Sequence, residues 1–275
     1  MHWFLPCFVA VFCVFALGSA HTRAESAQYC YNDWPPYAFT DGSGNATGIS
    51  IEILTQASRR AGYEPVFTEL PWERCLRDVE LGDQDAVIDA ASRDNYLQGD
   101  VSFSVYTNTF WVRQGYDASQ PLLSSFAGKR LGLVRGYVYG DVLDKEIEQS
   151  GAIIDYALND AQNIRKLAFS RTDAIIGDFV STRIFAKENA YDLKPVLPHH
   201  SFDRLYPSFN RSQAVMHERI DTALADMMKD GTIDRIYHDA LGIHFSDIMP
   251  DMNPDHNPDP AAVPQPDNDL AIVGY

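Results

Sequence analysis

Several side chains along this chain carry aromatic faces or charges capable of specific contacts. Trp34, just before Pro35-Pro36-Tyr37, and Trp72, at the head of WERCL, offer indole faces that suit an aliphatic stem or a cation. Packing in the core or on the surface is the ordinary alternative for both, and for Tyr37. Asp178 closes TDAIIGD. A carboxylate there either holds an amine by charge-assisted hydrogen bonds or caps a helix beginning at FVSTRIFAKE. Arg93 is the single cation in DAVIDAASRDNYLQGDVSFSVY. Its long forked guanidinium either reaches a ligand or neutralises Asp89, Asp94 or Asp100. Gly136-Tyr137 follows LGLVR and is expected to open the next helix, whose N-terminal N–H groups favour anions; packing at a surface accounts equally well for Tyr137.

Signatures of other chemistries are missing from the sequence: there is no nucleophile motif, no metal-ligand spacing and no phosphate loop, so neither a metal nor a cofactor is expected. The pair His199-His200 reads as a solvated loop, because adjacent residues seldom share a metal ion. The NPD repeats near the C-terminus are scattered acids between prolines and lack a calcium-binding loop.

These residues sit in a chain of 275 residues, 45% hydrophobic, enough for one large or two modest cores. The first twenty residues stand apart: FLPCFVAVFCVFALGSA is an apolar run ending in small residues, read as a signal peptide cleaved near Ala20. Its loss removes Cys7 and Cys13 and leaves Cys30 and Cys75 in an oxidising compartment, where pairing is natural. The formal charge of -16 argues against nucleic acid as a partner and favours the approach of cationic small molecules. Asp247, Asp251, Asp255, Asp259, Asp267 and Asp269 lie in a C-terminal segment, 246–275, whose Pro and Asp content predicts an acidic disordered tail.

Short apolar strands alternate with amphipathic helices from Gln28 onward, which is the pattern of an α/β fold. YCYNDWPPYAF is a strand stopped by two prolines, DGSGNATG a turn, and ISIEILTQASRRAG a helix with Ile49, Ile53, Leu54 and Ala57 on one face. EPVFTEL, the helix PWERCLRDVELG and the buried strand DAVIDAAS follow. After VSFSVYTNTFWVRQ the rhythm restarts with KRLGLVRG, YVYGDVLDKEIEQSG, AIIDYA, NDAQNIRKLAFSR and TDAIIGD, a second α/β unit. Two helical stretches around Gly231 close the ordered part.

The succession WPPYAF, GISIEIL, LPWERCL, LGDQDAVIDAASR, SFSVY, LGLVRG, TDAIIGD and ALADMMKDGTIDRIYHDALG resembles the bacterial extracellular solute-binding proteins of family 3, over roughly Gln28 to Gly242. That resemblance implies an α/β, two-lobe, type II periplasmic-binding-protein fold whose two crossing strands form a hinge. Lobe one would comprise residues 28–112 and 205–245, and lobe two residues 113–204. SFSVYTNTFWVRQ and PSFNRSQAV would be the crossing segments. It also implies a monomeric periplasmic receptor that closes on a small solute and delivers it to an inner-membrane ABC permease.

The resemblance assigns roles as well. Trp34 and Trp72, with Tyr37, match ring walls; Ser92 matches a ligand-facing hydroxyl; Tyr137 stands where backbone N–H groups meet the ligand; and Asp178 matches the acid that holds an ammonium group. Counting without gaps, the family's carboxylate-clamping arginine falls six residues before Phe103, where this chain has Leu97. Arg93 lies four residues earlier and is not that arginine displaced. Retaining the acid without the clamp points to an amine or cationic solute. Cys30 and Cys75 fall on neighbouring elements of this fold, which implies a disulfide. The same fold also supports cyclohexadienyl-type dehydratases, for which Glu73 or Asp178 would serve as the acid, and sensor or accessory proteins.

Overall fold

The computed structural model describes residues 25–116 and 123–248; the expected signal segment and the tail beyond 248 lie outside the described residues. In chain order the strands are β1 (Glu25–Tyr31), β2 (Phe39–Thr40), β3 (Ala46–Thr47), β4 (Tyr63–Glu69), β5 (Ala86–Ala90), β6 (Leu97–Gln98), β7 (Ser104–Arg113), β8 (Arg130–Val134), β9 (Ile153–Ala157), β10 (Ala174–Gly177) and β11 (Leu193–Phe209). The helices are α1 (Ile49–Arg60), α2 (Trp72–Leu81), α3 (Asp141–Gln149), α4 (Asp160–Ala168), α5 (Phe179–Glu188), α6 (Ala214–Lys229), α7 (Thr232–Leu241) and the short α8 (Phe245–Ile248).

The main sheet runs β4-β1-β5-β11-β7-β10-β8-β9, with β6 paired to β11. Its centre is the antiparallel pair β7 and β11, which runs from Leu193 opposite Arg113 to Leu205 opposite Ser104 with one register shift between them. One end of this ribbon joins the parallel strands β5, β1 and β4, and the other joins β10, β8 and β9. The molecule is thus a two-lobe α/β protein with two strands crossing between the lobes. Parallel strands need helical crossovers, and the alternating helices supply them.

Helix α1 shows how the pattern became structure. Ile49, Ile53, Leu54 and Ala57 are all buried, and the helix packs on β4, α6 and α7. Each such aliphatic side chain contributes about 2 kcal/mol of burial. A disulfide joins Cys30 on β1 to Cys75 on α2, both buried, as the resemblance implied.

Three expectations are corrected. Gly136-Tyr137 does not open a helix: α3 begins at Asp141, capped by Gly140. Gly136 and Gly140 have φ of 77° and 84°, left-handed values that break regular structure, and Tyr137, Val138 and Tyr139 between them favour extended backbone. His199 and His200 are not in a solvated loop but inside β11, where a register shift between Val196 and Ser201 absorbs the extra residues that Pro198 interrupts. His199 is buried and hydrogen-bonded through Nδ1 to Thr109 Oγ1 at 2.8 Å, and burial lowers its pKa to about 4. The acidic tail does not begin at 246, because residues 245–248 form α8, anchored by the buried Phe245 ring 4.8 Å from that of Tyr237.

Candidate functional site

A small cavity of about 40 Å³, partly open to solvent, lies where the two lobes meet beside the crossing strands. Its aromatic walls come from both lobes. Trp34 follows β1 and is stacked between Tyr37 at 4.1 Å and Tyr106 of β7 at 5.7 Å. Trp72 opens α2 and meets Tyr137 edge to face at 5.6 Å. Tyr137 and Tyr139, carried on the loop between β8 and α3, complete the wall.

The lobes are in contact across this cavity. Trp72 Nε1 and Arg93 Nη2 both donate to the carbonyl oxygen of Gly136, at 3.0 and 2.7 Å, and the Arg93 guanidinium lies 5.9 Å from the Trp72 ring centroid. Gly136 is required here: a Cβ on it would sit 3.1 Å from Trp72 Cδ1 and from Glu73 Cγ, at a φ that side chains rarely adopt. Tyr137 makes a second bridge. Its hydroxyl accepts from Asn32 Nδ2 at 3.2 Å and donates to Asp160 at 2.7 Å, while Tyr106 donates to the other oxygen of Asp160 at 3.0 Å.

The cavity is rich in acids. Asp89 and Asp203 line it, and the buried Asp160 lies behind the tyrosines. Loss of water raises each carboxyl to about 6, against the hydrogen bonds each accepts. Acids desolvated in this way favour a cation in the space they surround. Among the described residues that line the cavity, Arg93 is the one cation.

The residues expected from sequence divide into two groups. Trp34, Trp72, Arg93 and Tyr137 line the cavity. Tyr37 is buried behind Trp34 and supports it from the core. Ser92 is exposed and is not among the residues lining the cavity. Asp178 is corrected most sharply. It is fully buried as the cap of α5, and its two oxygens accept backbone N–H groups from Thr107 at 3.0 Å and Ser181 at 2.8 Å. Burial raises it to about 7, but its acceptors face backbone and it is not among the residues that line the cavity. Leu97 is paired in β6 opposite Phe209 and packs against the core, away from any clamping role.

Asp89, Tyr106, Tyr139 and Asp203 were not foreseen as site residues. Asp89 had a signal: an acid inside an otherwise apolar strand is unusual unless it is partnered. Tyr106, Tyr139 and Asp203 had none, because their convergence depends on how the crossing strands and one irregular loop are placed.

A model of the bacterial extracellular solute-binding proteins, family 3, matches residues 29–242. The chain belongs to this family. Among curated relatives, the L-cystine-binding protein TcyK of Bacillus subtilis (strain 168) is 24% identical over 224 residues, 78% of this chain and 82% of that protein. Among solved structures, an ancestral arginine-binding protein bound to arginine superposes with a TM-score of 0.70 at 21% identity, covering 79% of this chain and 99% of the other. An ancestral amino-acid-binding protein, a precursor of cyclohexadienyl dehydratase, superposes with a TM-score of 0.67 at 16% identity, covering 78% and 95%. The family match makes the protein a solute receptor, and the solved structures share its two-lobe fold.

Proposed function

We propose that the protein is a periplasmic receptor that captures a small amine-bearing solute between its lobes and delivers it to an inner-membrane ABC permease. The observation that carries this reading is the cavity itself: two tryptophans and four tyrosines line it with Asp89 and Asp203, while Leu97 stands where the resemblance puts the family's carboxylate clamp. Aromatic faces and desolvated carboxylates both favour a cation. Arg93 directs its guanidinium at Gly136 and Trp72 and holds the lobes together. Lobe one comprises residues 28–112 and 205–245, lobe two residues 113–204, and the receptor acts as a monomer exported by its N-terminal segment. The solutes of its relatives, cystine and arginine, each carry ammonium groups and so agree with an amine ligand.

The protein is not an enzyme in this reading. The dehydratase alternative draws on the shared fold, but of its two candidate acids Glu73 is exposed outside the cavity and Asp178 has both oxygens filled by backbone N–H groups. Incubation with prephenate or arogenate is expected to yield no product. Calorimetric titration of the mature protein with amino acids, polyamines and quaternary amines tests the receptor reading. Binding is expected for amines. Tight binding of a simple amino acid that disappears in Arg93→Ala would replace it with a zwitterion site built on Arg93.

A further inference from the structure

We propose that Asp89, rather than Asp178, is the carboxylate that receives the ligand's ammonium group, through its Oδ2 atom. The proposal rests on the amine-receptor reading above and assigns the residue that determines its specificity.

Asp89 is the next-to-last residue of β5 and lines the interlobe cavity. Its φ of 54° is a left-handed value, rare for a residue other than glycine and concentrated at functional sites. Oδ1 accepts hydrogen bonds from two hydroxyls on different elements, Ser50 of α1 at 2.9 Å and Ser104 of β7. These fix the plane of the carboxylate. Oδ2 is shielded from solvent and has no hydrogen-bond partner among the described residues. A buried carboxylate oxygen held rigidly and left unpaired is costly unless something arrives to satisfy it.

The surrounding groups do not supply that partner. Arg93, on the same cavity wall, points at the Gly136 carbonyl and the Trp72 ring. The Tyr237 phenol is committed elsewhere, donating to the Phe103 carbonyl at 2.8 Å. Asp178 has both oxygens filled by backbone N–H groups, and Asp203 accepts from Asn108 Nδ2 at 2.6 Å. A primary or secondary ammonium offers the missing N–H donor together with the opposite charge, and the aromatic side chains that line the cavity surround the rest of the cation. A quaternary ammonium has no N–H and leaves Oδ2 unsatisfied, so the site discriminates against it.

The test is calorimetry of the mature full-length protein with L-arginine, L-lysine, 1,4-diaminobutane and tetramethylammonium. At least one of the first three is expected to bind the wild type, with tetramethylammonium weaker. Asp89→Asn is expected to weaken binding at least about 100-fold, as for loss of one partner in a buried charge pair. Binding to Asp89→Asn within about threefold of wild type overturns the assignment and leaves the receptor reading intact. If none of the three amines binds the wild type, the receptor reading falls and the assignment with it. Should Asp89→Asn not fold, a crystal structure of the wild type with the bound amine decides: nitrogen within about 3.2 Å of Asp89 Oδ2 supports the assignment, and nitrogen on Asp178 or Asp203 overturns it.

Discussion

At the scale of single residues, the same side-chain type serves opposite purposes according to what surrounds it. Asp178 and Asp89 are both acids with raised pKa, but one is fully buried and saturated by backbone N–H groups at the start of α5 and the other keeps a shielded oxygen open. Replacing Asp178 with Ala removes a cap and should lower unfolding free energy by about 1–2 kcal/mol, read by urea titration. Any change in affinity should be small beside that of Asp89→Asn. Trp72 combines a ring face with the Nε1 bond to Gly136. Trp72→Phe keeps the face and is expected to weaken calorimetric affinity by less than about tenfold, whereas Trp72→Ala loses both and should weaken it by more than about 30-fold.

At the scale of elements, the loop between β8 and α3 and the disulfide between β1 and α2 place the two sides of the cavity. Gly136→Ala introduces a Cβ against Trp72 and Glu73 at a left-handed φ, so it should separate the lobes. Small-angle scattering of the unliganded variant is expected to show a larger radius of gyration than wild type. The disulfide closes a loop across a separation of 45 residues. Replacing Cys30 and Cys75 together with Ser should reduce stability to denaturant by about 2–4 kcal/mol, chiefly because the unfolded chain gains freedom. It should also weaken ligand binding, since α2 carries Trp72 and the bond fixes α2 to the strand leading to Trp34.

At the scale of the whole molecule, the acids give stability a definite pH dependence. Asp89, Asp160 and Asp203 rise to about 6 and Asp178 to about 7 on folding, from an unfolded value of 3.8. The folded state therefore binds more protons than the unfolded state between about pH 4 and 7, so these groups make stability fall as pH rises through that window. Their penalty is absent below the unfolded value and complete above pH 7. The lowered carboxyls of Asp41 and Asp230 act in the opposite sense, and only at more acidic pH. The melting temperature of the empty protein is expected to be higher near pH 5.5 than near pH 7.5. A bound amine should narrow that difference, since a cation stabilises the ionised acids; differential scanning calorimetry with and without L-lysine measures both.

What the sequence by itself determined is the part written in local pattern. Alternating strands and helices, the apolar face of α1, the family's motif order and the cysteine pair each depend on residues close together or on an order kept along the chain. Trp34, Trp72, Arg93 and Tyr137 were legible as candidates for the same reason, since each belongs to a recognisable stretch, and the fold brings all four to the lining of one cavity. Tertiary structure alone decided which acid faces the cavity. Whether a carboxylate is a cap or a ligand contact depends on where neighbouring backbone N–H groups end up, and for Asp178 one of them comes from Thr107, on the crossing strand β7. The roles of Tyr106, Tyr139 and Asp203 were likewise hidden, because they meet only after two distant strands pair in register and a loop bounded by two left-handed glycines turns inward. Such convergence is a property of three-dimensional placement, and no spacing along the chain encodes it.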